Sequence, residues 1–254
     1  MRLRSDPIIC FSYVLFYKLM PSKNRVKEYF EGSIYHIYNK GIDGREIFKE
    51  GEDYEHFFGI LKKYLEKYEE VVSDRFKTER PYIRRHKQAM NLNQEIDMLV
   101  YCLLPDHFHF LVRQKKTDSI TKLIRRVLTN YVMYFNKKYK RRGNLFEGVY
   151  RAVVVTEDIR IIELSRYIHL NPMARVVRRY GLVETISSSS PEYYIYSSYQ
   201  NYLGSRLEKW LKPDIILGKF KKLLPNEKDY KSYVEREERD KWRNLQGFIL
   251  EENQ

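Results

Sequence analysis

Cysteine is scarce in this chain. Only Cys10 and Cys102 occur among 254 residues, too few for a four-cysteine zinc site or a disulfide framework, so a reducing compartment is expected. Long apolar runs are missing too. The apolar-rich stretch at residues 8–17 falls well short of the roughly 20 residues that a membrane-spanning helix needs, and 32% charged residues is too dense for a multi-span membrane protein. Acidic residues are outnumbered, 34 Asp and Glu against 47 Lys and Arg, leaving a formal charge of +13. Such an excess forecasts phosphate-bearing or anionic-membrane partners, nucleic acid first among them. There is no internal repeat, and no Gly-rich phosphate loop with a Lys that would signal a nucleotide triphosphate. What the chain does have is 43% hydrophobic and 15% aromatic residues, enough to exclude disorder and to build a core across one large or two small domains.

The N-terminus imitates a targeting signal. Arg2 and Arg4 precede the apolar stretch, but the residues from Lys18 to Lys23 offer no small-x-small cleavage site. Two readings stay open: a secretory signal, or a natural start at Met20 preceded by translated upstream sequence or a short docking segment. Residues 1–24 are therefore set apart as an N-terminal extension. A domain is expected over 25–185, followed by a Tyr-rich, charged C-terminal extension over 186–254.

Local patterns order the elements. Ser33 to Lys40 is β-branched and aromatic and ends at Gly41, which predicts a strand leaving into a turn. Phe57, Ile60, Leu61, Tyr64, Leu65 and Tyr68 recur at helical spacing over Asp53 to Tyr68. Residues 70–92 are polar and basic with Pro81, a surface excursion. Met98 to Leu104 is an uninterrupted apolar run of strand length, as expected of a strand covered on both sides. Pro105 and Asp106 break it, and His107 to Arg113 resumes as a second strand, so a hairpin is expected. Asp118 or Ser119 can cap the next helix, whose apolar stripe runs from Ile120 to Phe135 until Gly143 stops it. Arg151 to Val155 is a short strand. Thr156, Glu157 and Asp158 then supply a cap and acidic first turn for a helix to about Leu170, ended or kinked by Pro172. Ser187 to Pro191 reads as a linker. The order β, α, β, β, α, β, α predicts an α+β fold, an antiparallel sheet with helices packed on it, in the ferredoxin-like arrangement.

Chemistry concentrates at His107, Phe108 and His109. Side chains two apart on a strand share a face, so both imidazoles emerge together while Phe108 and Phe110 enter the opposite layer. That geometry suits one metal ion, although two packed or surface histidines would give the same pattern. On the helix after Thr156, Ile161, Leu164 and Ile168 form a buried stripe, and Tyr167 lies about 60° from Leu164, at the edge of the core. Glu163 and Asn171 are four residues to either side of Tyr167 on its face. Either could give an oxygen ligand beside the histidines, whereas His169 points elsewhere. Among 23 tyrosines, packing is the ordinary role of any one.

Four segments then carry a resemblance. Tyr35-His36-Ile37-Tyr38-Asn39-Lys40-Gly41, Leu104-Pro105-Asp106-His107-Phe108-His109-Phe110-Leu111-Val112, Gly143-Asn144-Leu145-Phe146-Glu147-Gly148 and Arg166-Tyr167-Ile168-His169-Leu170-Asn171-Pro172 follow the order seen in single-tyrosine HUH transposases. The sequence most resembles REP-associated tyrosine transposases, relatives of the insertion sequence 200/605 enzymes. The likeness spans about residues 25–204 and ends in Tyr199-Gln200-Asn201-Tyr202-Leu203-Gly204. It implies that His107 and His109 are metal ligands, that Tyr167 is the nucleophile and that Asn171, rather than the geometrically competing Glu163, completes the site. It implies Mg²⁺ or Mn²⁺ as cofactor and single-stranded or hairpin DNA as partner. The reaction would be cleavage and rejoining through a 5′-phosphotyrosine in the cytoplasm, at the nucleoid. Monomer and homodimer both remain open. Residues 70–92 look like an insertion relative to a minimal catalytic domain.

Phosphate contacts are expected from Lys122, Arg125, Arg126, Lys137, Lys138, Lys140, Arg141 and Arg142 on and after the long helix. A second patch is expected from Arg175, Arg178 and Arg179. Cations at a helix C-terminus also complement its dipole, the plainer reading. Tyr193, Tyr194, Tyr196, Tyr199 and Tyr202 could stack on bases or pack a tail onto the domain. Two other function classes compete: a metal-dependent nuclease using water, and a non-catalytic hairpin-binding regulator.

Overall fold

The computed structural model describes residues 29–67, 90–180 and 190–236, with the side chains of 174–180 excepted. Features placed at Cys10, at Met20, in most of the 70–92 excursion, in most of the 187–191 linker and at the side chains of Arg175, Arg178 and Arg179 lie outside the described residues.

Four strands pair into one antiparallel sheet: β1 (Ile34–Lys40), β2 (Ile96–Leu104), β3 (His107–Gln114) and β4 (Arg151–Val155). Their spatial order is β2-β3-β1-β4, the ferredoxin-like order in an α+β fold. β2 is buried at all nine positions, as its unbroken apolar run requires. The Leu104↔His107 pairing makes β2 and β3 a hairpin turning at Pro105 and Asp106.

The helices divide between the two sheet faces. On one face lie α1 (Gly51–Leu65) and α2 (Ser119–Lys138). Their Phe57, Leu61, Leu123, Ile124 and Val127 pack with Ile37, Tyr101, Phe108 and Phe110 of the sheet. On the other lies α3 (Asp158–Tyr180), joined by the C-terminal elements α4 (Tyr199–Tyr202), α5 (Pro213–Leu223) and α6 (Tyr230–Glu235). There Ile161, Leu164 and Ile168 meet Val100, Cys102, Leu104 and Leu111, with Ile216 and Phe220 closing the layer.

Three helix ends differ from the sequence expectation. Neither Asp118 nor Ser119 caps α2 with its side chain; Asp118 takes a left-handed φ of 65°, and the Gln114 side-chain oxygen accepts from Ile120 N–H at 3.1 Å instead. The strand end thus supplies the acceptor that a cap residue normally offers. α2 stops at Lys138, before Gly143, because Lys140 turns to a positive φ of 50°. α3 runs through Pro172 to Tyr180 rather than ending near Leu170, forgoing the bond that this residue's missing N–H would give to the Ile168 carbonyl.

His169 ties α3 to the C-terminal layer. Its Nδ1 lies 3.0 Å from the Tyr230 hydroxyl and its Nε2 2.9 Å from the Ser198 hydroxyl, while Tyr230 also reaches the Ser165 hydroxyl at 2.9 Å. Burial pushes the imidazole pKa down to about 3. The unfolded chain therefore gains a proton below about pH 6.5 that the native protein refuses, and stability falls as pH falls from there toward 3. Urea midpoints at pH 7 and pH 5 check this. The wild-type protein should lose about 2 kcal/mol from this group over that interval. His169→Gln should be less stable at pH 7 but should show a pH slope flatter by one proton.

Candidate active site on the helix-covered sheet face

The pleat of β3 sends Phe108 and Phe110 into the layer of α1 and α2, so the alternating His107 and His109 face α3. Register extends that face across the sheet: Lys40 lies opposite His107, and Tyr38 opposite His109 and Arg151. The two imidazole rings stand 5.0 Å apart between centroids and perpendicular. The Asp106 carboxylate lies 2.5 Å from His107 Nδ1, which makes that nitrogen the donor and leaves the ring's lone pair on Nε2.

From the helix, Asn171 brings its side-chain amide within 3.3 Å of His109 Nε2. Tyr167, 8% exposed, sets its ring edge-on to His109 at 5.9 Å. His107, His109, Tyr167 and Asn171 are therefore brought together, with strand and helix each supplying half. Glu163, half-buried on α3, makes none of these contacts, and among the described residues no group of three His, Cys, Asp or Glu side chains is arranged to hold a metal ion. Two imidazoles and an amide form a mixed nitrogen and oxygen donor set, compatible with Mn²⁺ or Mg²⁺.

Two neighbours were not singled out from the sequence for a role. His36 places Nε2 2.9 Å from His109 Nδ1. Tyr38, also buried, lies 5.9 Å from the His109 ring, tilted by 34°. The signal for both was period two on β1, which puts residues 36 and 38 on one face, but that face could be identified only once β1 was paired with β3.

The cations separate into two groups. α2 lies on the far side of the sheet from the histidines, so Lys122, Arg125 and Arg126 of its first half sit in the other layer. The segment that follows the helix crosses to the end of β1. Ile42 N–H bonds to the Leu145 carbonyl and Glu147 N–H to the Lys40 carbonyl, which docks the segment after Lys140 and Arg142 on the sheet end that carries His107.

Lys138 does not join an open phosphate-binding face. Its ammonium contacts Glu50 at 2.8 Å, Glu52 at 2.8 Å and the buried Asp53 at 3.0 Å, and Asp53 also accepts from Tyr139 and Tyr134. The Asp53 carboxyl is held below its ordinary pKa: burial alone would raise it, but the Lys49 N–H, Lys138 and the two phenols outweigh that. Arg126 donates to the Met90 carbonyl, and Lys122 faces Glu95 at 3.6 Å. Arg141 donates to Asn136 and the Asn144 carbonyl. Arg125, Lys137, Lys140 and Arg142 are exposed.

The tyrosine run likewise turns inward. Tyr199 and Tyr202 are buried, Tyr196 stacks on Tyr54 at 3.7 Å, and Tyr194 donates to the Leu103 carbonyl. Tyr193, 77% exposed, alone presents an open ring. Packing displaces base stacking as the role of the other four.

Comparison with known proteins adds three findings. Residues 65–171 match the family model described as "Transposase IS200 like", a span that contains His107, His109, Tyr167 and Asn171 and leaves β1 outside. A solved structure of a REP-associated tyrosine transposase bound to a REP hairpin is similar at 14% identity with a TM-score of 0.44, covering 72% of this chain and 86% of that one. No curated protein matches the chain. Among the described residues no helix is long and apolar enough to cross a membrane.

The charge partition makes a prediction. Joint Lys140→Ala and Arg142→Ala substitution should weaken single-stranded DNA binding and flatten its dependence on salt by roughly one to two counterions. Lys138→Met should leave that slope unchanged and lower the melting temperature, because three carboxylates lose their shared cation. Fluorescence anisotropy across a salt series and thermal melts read both.

Proposed function

Taking as premise that residues 65–171 match the IS200-like transposases, we propose that the chain is a metal-dependent single-strand DNA transesterase. It would cleave and rejoin DNA beside hairpin or repeat sequences, with Tyr167 as nucleophile and His107, His109 and Asn171 as ligands. The observation that carries this reading is the meeting of Tyr167 and Asn171, four residues apart on α3, with His109 on β3. The location that goes with this substrate is the cytoplasm, at the nucleoid.

A phenol is a weak nucleophile near neutral pH, its ordinary pKa being about 10. A bound Mg²⁺ or Mn²⁺ would supply Lewis-acid polarisation of the phosphate and stabilise charge developing on it. The chain's own residues do the rest. The α3 backbone holds the Tyr167 ring beside His109, which would limit the freedom lost in reaching a reactive geometry. Tyr167 Oη bonds to phosphorus, the bond from phosphorus to the 3′ oxygen breaks, and that oxygen leaves as a hydroxyl carrying a proton equivalent to the one the phenol gives up. One phosphodiester is exchanged for another as a 5′-phosphotyrosine, so no nucleotide triphosphate is consumed and rejoining is the reverse step. Arg151, exposed on the same face of the sheet, suits a flanking phosphate, whereas Lys40 there is paired with Glu147 at 3.0 Å. Tyr167 stands beside His109 of its own chain, which supports action by a monomer in cis.

Incubation of purified protein with a labelled hairpin oligonucleotide bearing a single-stranded flank, in Mn²⁺, tests the reading through a denaturant-resistant protein–DNA band. Tyr167→Phe should reduce that band at least about a thousandfold while hairpin binding is nearly preserved, and Tyr38→Phe should retain it. Chelation should remove cleavage. An adduct that survives in Tyr167→Phe but not in Tyr38→Phe would move the nucleophile to β1. Cleavage without any adduct would instead identify a water-using nuclease, and binding without cleavage a regulator.

A further inference from the structure

His36 lies outside the segment that matches the transposase family, yet it touches the centre of the site. On β1, Tyr38 is directly opposite His109 and His36 opposite Leu111, so His36 and His109 are diagonal neighbours on the face turned toward α3. His36 is fully buried. Its Nε2 lies 2.9 Å from His109 Nδ1, and the two ring planes are within 16° of parallel with centroids 5.1 Å apart. That is the edge-to-edge geometry of an in-plane N–H···N bond.

Such a bond needs one proton and one lone pair, and the group on the far side of His109 bears on which ring gives which. Asn171 directs its amide nitrogen at His109 Nε2 from 3.3 Å, and an amide NH₂ can only donate. His109 Nε2 is then the acceptor, its proton sits on Nδ1, and His36 Nε2 receives it. Rotating the Asn171 amide to offer its oxygen to a cation leaves this tautomer unchanged, because Nε2 must carry its lone pair in either case.

We propose that His36 is a positioning residue, locking His109 in the Nδ1–H tautomer with the Nε2 lone pair turned toward Asn171; this rests on reading His109 as a metal ligand. Asp106 does the corresponding service for His107. The two ligands are thus backed differently, His107 by an anion from the hairpin turn and His109 by a neutral imidazole from the neighbouring strand. An apolar residue at position 36 would fill the same layer but would leave a buried N–H without its acceptor, a costly state that favours the other tautomer.

Two readouts test this, one of them independent of metal. Two-bond ¹H–¹⁵N correlation on the full chain assigns the His109 tautomer, and titration with Mn²⁺ followed by electron paramagnetic resonance gives metal affinity without DNA. Wild-type protein should show Nδ1–H. His36→Leu should lose that preference and weaken Mn²⁺ binding about 10- to 100-fold. His36→Gln, whose side-chain oxygen can accept from Nδ1, should recover most of the affinity. A wild-type Nε2–H tautomer overturns the proposal, as does His36→Leu with unchanged tautomer and affinity, or His36→Gln no better than His36→Leu. Should His36→Leu fail to fold, the wild-type tautomer and the His36→Gln titration decide. Wild-type protein that binds no Mn²⁺ yet loses its Nδ1–H tautomer in His36→Leu supports the positioning role and sinks the metal reading.

Discussion

Along β3 the two-residue pleat parts imidazoles from phenyl rings, and both sides of the sheet are covered. Phe108 and Phe110 lock one side into the layer built by α1 and α2, so the strand cannot slip by one position without driving histidines into an apolar core and rings toward α3. The position of the site is therefore a by-product of core packing. A second constraint, register between β1 and β3, sets Tyr38 opposite His109 and Lys40 opposite His107, and with them the neighbourhood in which any chemistry happens.

The helix contributes through a different period. Tyr167 and Asn171, four residues apart, look at the sheet, whereas His169 looks toward Tyr230 and Ser198. The same turns of α3 thus carry a polar face for the site and a polar staple for the C-terminal layer, both set in largely apolar surroundings. Burial keeps His169 neutral, so its two ring nitrogens serve as one donor and one acceptor with no charge to desolvate. Lys138 shows the opposite economy. Its charge is retained but used internally, bridging α2 to the start of α1 through Glu50, Glu52 and Asp53.

Much of this was legible in the sequence where a short-range period decided it. The order of the first seven elements, the bounds of β4, the hairpin at Pro105 and Asp106 and the facing directions of His107, Phe108 and His109 all follow from alternation or helical spacing. What was not legible depended on partners distant in the chain. Gln114 capping α2 requires knowing where β3 ends relative to the helix. Lys138 reads as surface charge until α1 is placed beside it, and the tyrosines after 190 fit stacking or packing equally until β2 and α1 are seen beneath them. His36 is the sharpest case, a residue whose contact with His109 is invisible on its own strand and plain once the neighbouring strand is laid alongside. The continuation of α3 beyond Pro172 belongs here too, since local rules mark proline as a stop.

The segment from 190 to 236 is attached to the rest chiefly through α3 and β2, by the His169–Tyr230–Ser165 cluster and by Arg166, which donates to the Val234 carbonyl. Arg166 immediately precedes Tyr167 in the chain. A stop codon or a protease cut beyond residue 190 would strip the outer support from the turns that hold Tyr167 and Asn171. In a screen for the proposed cleavage it would pass for a lesion at the candidate site, although every side chain proposed for the chemistry would still be present.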